Sequence, residues 1–150
     1  MAAGEIVLTF TPTIEEAQLG AIAATNVAAA YFEMVVGTVP GPNNAFIDAL
    51  EMALGEACSN TVKHRSATAL AAPQVRVLFT LEGEQLAIQI EDGNTAFDFA
   101  NILPPDFDAA PEDGYGIFLM KSCMDEVHYL RRGEHNVLLL KKLISAGVRL

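Results

Sequence analysis

The sequence predicts an α/β protein of the α+β type, a two-layer sandwich in which helices cover one face of a mixed, mostly antiparallel sheet. Three observations indicate this fold. Apolar residues recur with helical period in two long segments of the first half, and they alternate with period two in several short segments bounded by turn residues. The chain has 150 residues, of which 51% are hydrophobic and 19% are charged, so residues 1–150 fit a single domain with one core.

The N-terminal part predicts a strand and a long helix. Alternating Ile6, Leu8 and Phe10 predict a strand that Thr11-Pro12-Thr13 ends, and Thr13 with Glu16 fits a helix-opening capping box. The expected core-facing stripe of this helix is Leu19, Ile22, Ala23, Asn26, Val27, Ala30, Tyr31 and Met34. A second face is also apolar: Ala21, Ala24, Ala28, Phe32 and Val35. That face is consistent with burial in a homodimer or with simple exposure of small side chains.

A second helix and a hairpin follow. Asn43 or Asn44 can cap a helix that extends to about Arg65. Alternation over 75–81 and 86–90 predicts two strands joined at Glu82-Gly83-Glu84. Asp92 continues the parity of the second strand, so its carboxylate is expected on the apolar face toward the helices, where it needs a partner.

The last third begins with an aperiodic, acidic stretch from Gly93 to Tyr115, which predicts a functional loop such as a lid. A short helix is expected to open near Ile117, directly after Gly114-Tyr115-Gly116. Two strands, over 127–130 and 137–140, are expected to flank a turn at Gly133-Glu134.

Charge and composition exclude several functions. The chain has nine Lys and Arg and 19 Asp and Glu, which gives a formal charge of −10. This charge repels nucleic acid and anionic membranes, but it permits binding of a small anion that backbone N–H groups and a metal ion hold. The opening residues lack a signal-peptide pattern, and the Ala-rich helix contains polar residues, so we expect a soluble, cytoplasmic protein. Cys58 and Cys123 are expected to be inert core thiols, and His128 and His135 are assigned no role.

A row of polar residues marks the second helix. Glu56 and Asn60 are four residues apart and share a face, with Lys63 and His64 one turn further along. Such a row fits a solvated helix face as well as a site. The segment from Leu54 to His64 resembles the N box of the GHKL (Bergerat-fold) ATPases in its anti-sigma-factor serine kinase form. Asp92 at a strand end and the segment from Gly114 to Met120 are similar to two further motifs of that family, in the same order.

The resemblance implies a role for each matching residue. Asn60 would offer its amide oxygen to Mg²⁺, and Glu56 would act as the catalytic base for the attacking hydroxyl. Asp92 would accept a hydrogen bond from the adenine amino group of ATP. The residues from Gly114 to Ile117, with Tyr115 and Gly116 between them, would let backbone N–H groups approach the phosphates, which Lys63 would also contact. The structural alternatives are surface polar groups and an ordinary tight turn, and for His64 a hydrogen bond at the helix end.

Three departures from the family pattern stand out. Asn94 occupies a position where the family has glycine, so its left-handed turn and its bulk beside the purine are in question. The expected lid, from Leu103 to Tyr115, contains no Lys or Arg. A Thr often found on the family's late strand has no evident match around Val137.

By resemblance, the expected function is that of an anti-sigma factor and serine-protein kinase. Such a protein binds ATP with Mg²⁺, holds a sigma factor or similar regulator, and phosphorylates a serine of an antagonist protein. The lid and Asn94 favour an alternative, a degenerate regulator that acts by partner exchange without kinase activity. The catalytic domain of a histidine kinase is a weaker alternative, because the sequence carries no helical hairpin with a phosphoacceptor His.

Overall fold

The computed structural model describes residues 5–63, 74–94 and 112–144, and it describes the backbone alone for 112–115. In chain order, the elements are β1 (Glu5–Phe10), α1 (Ile14–Val36), α2 (Ala45–Lys63), β2 (Val75–Glu82), β3 (Gln85–Asp92), α3 (Glu112–Cys123), β4 (Glu126–Arg132) and β5 (His135–Leu143).

The five strands form one sheet in the order β1-β2-β3-β5-β4, and each of its pairings is antiparallel. The helices lie on one face of this sheet, with α2 packed between α1 and α3. The expected two-layer α+β sandwich is therefore confirmed. Both hairpins turn on a glycine in the left-handed region, Gly83 and Gly133, each with φ of 61°. Only a residue without Cβ adopts that conformation at no steric cost.

The helix ends follow from their capping residues. Thr13 accepts a hydrogen bond from the backbone N–H of Glu16 at 3.2 Å, which confirms the N-cap, and the Glu16 carboxylate accepts from the N–H of Thr11. Asn44 accepts from the N–H of Ile47 at 3.0 Å and so caps α2. Gly37, with φ of 90°, ends α1.

The expected core-facing stripe of α1 is only partly correct: Tyr31 of that stripe is buried in the core, but most of the buried residues come from the other face. Ala24, Ala28 and Phe32, from the second apolar face, for which a dimer interface or simple exposure was expected, are buried in the core, where Phe32 contacts Phe46 of α2. Leu19 and Met34, from the expected core stripe, are 64% and 72% exposed. Because α1 is apolar around its whole circumference, its sequence does not indicate which side faces the sheet.

By length and composition, α1 would also suffice to cross a membrane, and it is the one such helix in the part of the chain described here. Its buried side packs against α2.

The start of α3 also differs from the prediction. The helix begins at Glu112, so Gly114-Tyr115-Gly116 lies inside it and not before it. The predicted lid falls largely on residues 95–111, and His64 and Arg65 follow the last described residue of α2; all of these lie outside the described residues.

The two cysteines have different environments. Cys58 lies on the buried side of α2, and burial raises the pKa of its thiol to about 12, whereas Cys123 is half-buried. Cys58 is therefore a neutral core side chain, as expected.

Candidate nucleotide site

The candidate site lies where α2, α3 and the ends of β3 and β5 meet. Three motifs that are far apart in sequence converge here. A Cβ atom built on Gly116 of α3 would lie 2.8 Å from Glu56 Oε2, 3.6 Å from Asn60 Oδ1 and 3.8 Å from Asn60 Nδ2. Because Gly116 has no side chain, the backbone of α3 can approach the Glu56 and Asn60 side chains of α2 closely.

Beside these groups, a small cavity reaches into the sheet. Its walls are Ala57, Asn60, Thr61, Ile90, Asp92, Ile117, Met120, Tyr129, Asn136 and Leu138. Three predicted site residues, Asn60, Asp92 and Ile117, therefore share one cavity. Its volume of about 20 Å³ is that of a water site, so a purine would require the surrounding side chains to move.

Asp92 ends β3 on the helix-facing side of the sheet, as its parity predicted. Its Oδ1 accepts hydrogen bonds from the backbone N–H of Asn94 at 2.9 Å and from Asn136 Nδ2 at 2.9 Å. These two donors give the half-buried carboxylate the partners that its position requires.

Asn94 does not have the geometry expected of a glycine substitute. Among the described residues, Asn43 is the only non-glycine residue with a positive φ, so Asn94 is not left-handed. Its side chain is 4% exposed and donates to the backbone carbonyl of Thr61 in α2 at 3.0 Å. Asn94 therefore ties the turn after β3 to α2.

The remaining predicted residues are placed differently. Lys63 lies on the side of α2 that faces α1, where it lines a separate groove, so the structure does not bring it to Asn60 and Asp92. Gly114 lies in the first turn of α3, where N–H groups have no partner within the helix, whereas the N–H of Tyr115 is the first that an i→i−4 bond of the helix uses. The N–H groups of Gly116 and Ile117 belong instead to the hydrogen bonding of the helix itself.

Sequence reasoning missed the polar residues contributed by the last hairpin. Asn136 of β5 pairs in register with Asp92, and Tyr129 and Arg131 of β4 both hydrogen-bond to Asn136. The available signal was strand parity, since Asn136 shares the face of Leu138 and Leu140. The predicted strand began two residues too late, at Val137, and therefore excluded Asn136.

Comparison with known proteins defines the class. The family description "Histidine kinase-like ATPase domain" matches residues 20–142. The chain belongs to this family.

The chain is also similar to proteins named as serine kinases. "Serine-protein kinase RsbW" from two strains of Bacillus cereus, AH187 and ATCC 10987, is 26% and 28% identical over 103 residues. The match spans 63% of this chain and 63% of each of those proteins. The resemblance to anti-sigma-factor serine kinases that the motifs indicated is thereby confirmed.

Two solved structures share the fold. The RsbU and RsbW domains of a Mycobacterium tuberculosis protein superpose with a TM-score of 0.55 at 15% identity, over 93% of this chain and 32% of that one. The histidine kinase domain of a blue-light activated histidine kinase from Erythrobacter litoralis gives 0.53 at 15% identity, over 85% and 62%. At this identity, the likeness concerns the fold alone.

Proposed function

We propose that this chain is an ATP-dependent serine-protein kinase and anti-sigma factor, which transfers the γ-phosphate of ATP to a serine of an antagonist protein. The observation that carries the proposal is the approach of Gly116 to Glu56 and Asn60, with Asn60 sharing a cavity with Asp92. Serine-protein kinases among the relatives support the reaction class.

The donor set fits a nucleotide with Mg²⁺. Mg²⁺ prefers oxygen ligands and takes only one or two of them from the protein, the rest coming from phosphates and water. Asn60 can supply one such oxygen, and within residues 5–63, 74–94 and 112–144 no group of three or more His, Cys, Asp and Glu forms a metal cage. The bound ion would supply neutralisation of charge on the transferred phosphate.

The chain's own residues divide the remaining work. Glu56 would take the proton of the attacking serine hydroxyl on its carboxylate, which typically contributes about 10²–10⁴-fold in rate. Asp92 would accept a hydrogen bond from the adenine amino group. The N–H groups of the first turn of α3, including that of Gly114, are the backbone donors suited to phosphate.

A non-catalytic partner-binding protein is the competing function. The small volume of the cavity favours it, because it leaves little room beside Asp92. Measuring ATP binding and phosphate transfer on the same preparation separates the two functions.

We further propose a cytoplasmic homodimer that binds a sigma factor or similar regulator and an antagonist. The exposed apolar side chains of α1, Leu19, Ile22 and Met34, provide a surface for self-association in place of the face expected from sequence. Light scattering at high micromolar concentration should give twice the chain mass, and Ile22→Asn should lower it. A monomer under these conditions would exclude the dimer.

The kinase is tested with Glu56→Gln, which removes the base but keeps the shape of the side chain. ATP binding measured by calorimetry should be retained, while transfer of labelled phosphate to the antagonist should fall about 10²–10⁴-fold. Glu51→Gln is the matched control, since Glu51 is an exposed carboxylate of the same helix that lines the separate groove. If the wild type binds ATP but labels no antagonist, the partner-binding function replaces the kinase.

A further inference from the structure

A fully hydrogen-bonded amide stands beside the proposed base-recognising carboxylate. Asn136 is 2% exposed, and it pairs with Asp92 on the neighbouring strand β3. Its Nδ2 donates to Asp92 Oδ1 at 2.9 Å and to the Asn94 carbonyl at 3.2 Å. Its Oδ1 accepts from Arg131 Nη1 at 2.8 Å and from the Tyr129 hydroxyl.

These partners fix which way the amide points. An asparagine amide has two donor hydrogens and an oxygen with two lone pairs, and the four contacts of Asn136 use all of them. A guanidinium can donate but cannot accept, so Arg131 must face the amide oxygen. The NH₂ group is then held toward Asp92. If the amide rotated by 180°, its NH₂ group would face the Arg131 donor, and its oxygen would face the oxygens of Asp92 and Asn94.

Arg131 also holds the turn that follows Asp92. The same Nη1 atom donates to the Asn94 carbonyl at 2.8 Å, and the N–H of Asn94 donates to Asp92 Oδ1. The side chain of Arg131 therefore connects the end of β4 to both partners of the carboxylate. Two donors on Oδ1 fix the plane of the carboxylate and hence the direction of its second oxygen.

We propose that Asn136, locked by Arg131, is a positioning residue that makes the pocket selective for a purine with an exocyclic amino donor. The proposal rests on ATP binding at this site. A fixed acceptor favours the amino group of adenine, whereas an unsubstituted purine leaves the acceptor unpaired and a 6-oxo purine sets an oxygen against it. Sites built around a buried hydrogen bond discriminate strongly against analogues that lack the group.

An exclusively structural role for Asn136 makes a different prediction. Loss of a buried amide would then lower stability and weaken all nucleotides alike, without changing their ratio. The ratio of affinities for ATP and for purine riboside triphosphate, which lacks the amino group, therefore distinguishes positioning from support.

The matched substitutions are Asn136→Thr and Asn136→Val. The two side chains have similar shape and both suit a strand, but only threonine can donate a hydrogen bond to Asp92. Arg131→Met removes the lock, and Arg132→Met is the control, because Arg132 is an exposed neighbour whose charge pairs with Glu91 at 3.9 Å. Thermal unfolding confirms that each variant is folded.

Calorimetry in Mg²⁺ should show that the wild type binds ATP about tenfold or more tightly than purine riboside triphosphate, the effect of one hydrogen bond to a charged group. Asn136→Thr and Arg132→Met should keep most of that preference, while Asn136→Val and Arg131→Met should reduce it to about threefold or less. An unchanged preference in Asn136→Val overturns the proposal. Equal wild-type binding of both nucleotides overturns it too while leaving ATP binding intact, and binding of neither overturns the proposed function as well.

Discussion

Adding one methyl group at Gly116 should separate stability from catalysis. The new Cβ would lie 2.8 Å from Glu56 Oε2, and ordinary contact begins at 3.4 Å, so the carboxylate must retreat by about 0.6 Å. Asn60 stands at 3.6 and 3.8 Å, within ordinary contact, and can stay in place. Gly116→Ala therefore displaces the proposed base and leaves the proposed Mg²⁺ ligand where it is.

The expected magnitudes have opposite signs. Alanine is about 0.8–1 kcal/mol more favourable than glycine in a helix interior, and the atom that must move ends a flexible side chain. The melting temperature should therefore hold or rise by about 2–4 °C. Phosphate transfer should fall about 10- to 100-fold, since a misplacement of about 1 Å at a catalytic group costs on the order of 10²-fold.

Gly55→Ala is the control for this experiment. Gly55 lies in α2, and a Cβ there would meet nothing within 4 Å, so this variant should gain the same helix stability without losing transfer. The assays are thermal unfolding, ATP calorimetry and transfer of labelled phosphate to the antagonist. Wild-type transfer by a folded Gly116→Ala protein would refute the geometric argument, and an equal loss in Gly55→Ala would show that the effect is not local.

Three further outcomes follow from the same contacts. Asn60→Ala should weaken ATP binding about tenfold or more in Mg²⁺ and little in EDTA, by calorimetry, whereas Ser59→Ala, facing the α1 groove, should not. Asn94→Gly should not improve ATP binding; loss of its bond to the Thr61 carbonyl should lower the free energy of unfolding by about 1–3 kcal/mol in urea titrations. Because burial raises the Cys58 pKa from 9.0 to about 12, the thiol loses its proton at a lower pH in the unfolded chain than in the folded protein. This contribution to stability should be complete below pH 9 and lost as pH rises toward 12, and native Cys58 should resist alkylation at pH 8 while urea exposes it.

Much of the fold was predictable because its signals are local. The capping residues Thr13 and Asn44 and the turn glycines Gly83 and Gly133 act on their immediate neighbours, so sequence alone located both long helices and both hairpins. The parity of Asp92 was equally local, since alternation along β3 fixes the face of each residue.

The orientation of α1 depends on contacts distant in sequence. Gly20 packs against Phe10 of β1, where an added Cβ would lie 2.7 Å from the ring, and this close approach helps determine which side of α1 faces inward. Nothing in the Ala-rich pattern of α1 reports that contact. The start of α3 was misplaced for a related reason: glycine disfavours helix by about 1 kcal/mol, and the tertiary context of α3 overrides that preference.

The site was predictable where the chain follows its family and not where it departs. The motifs predicted Glu56, Asn60, Asp92 and Gly116 as site residues, and the structure brings Gly116 close to Glu56 and Asn60. Asn136 has no counterpart in the motifs: strand parity gives its face, but only the register of β5 against β3 pairs it with Asp92. Lys63 shared a helix with the site residues, but its direction on α2 turns it toward α1.

One hydrogen bond connects the two ends of the proposed nucleotide site. Asn94 follows Asp92 closely in sequence and donates to the carbonyl of Thr61, which is the residue next to Asn60. The turn that follows Asp92, the carboxylate proposed to recognise the base, is therefore attached to the helix that carries the proposed Mg²⁺ ligand. Because Asn136 and Arg131 hold that same turn through the Asn94 carbonyl, a displacement of Asp92 must strain either the last hairpin or α2. The proposed base-recognising carboxylate and the proposed Mg²⁺ ligand thus share one support, the buried side chain of Asn94.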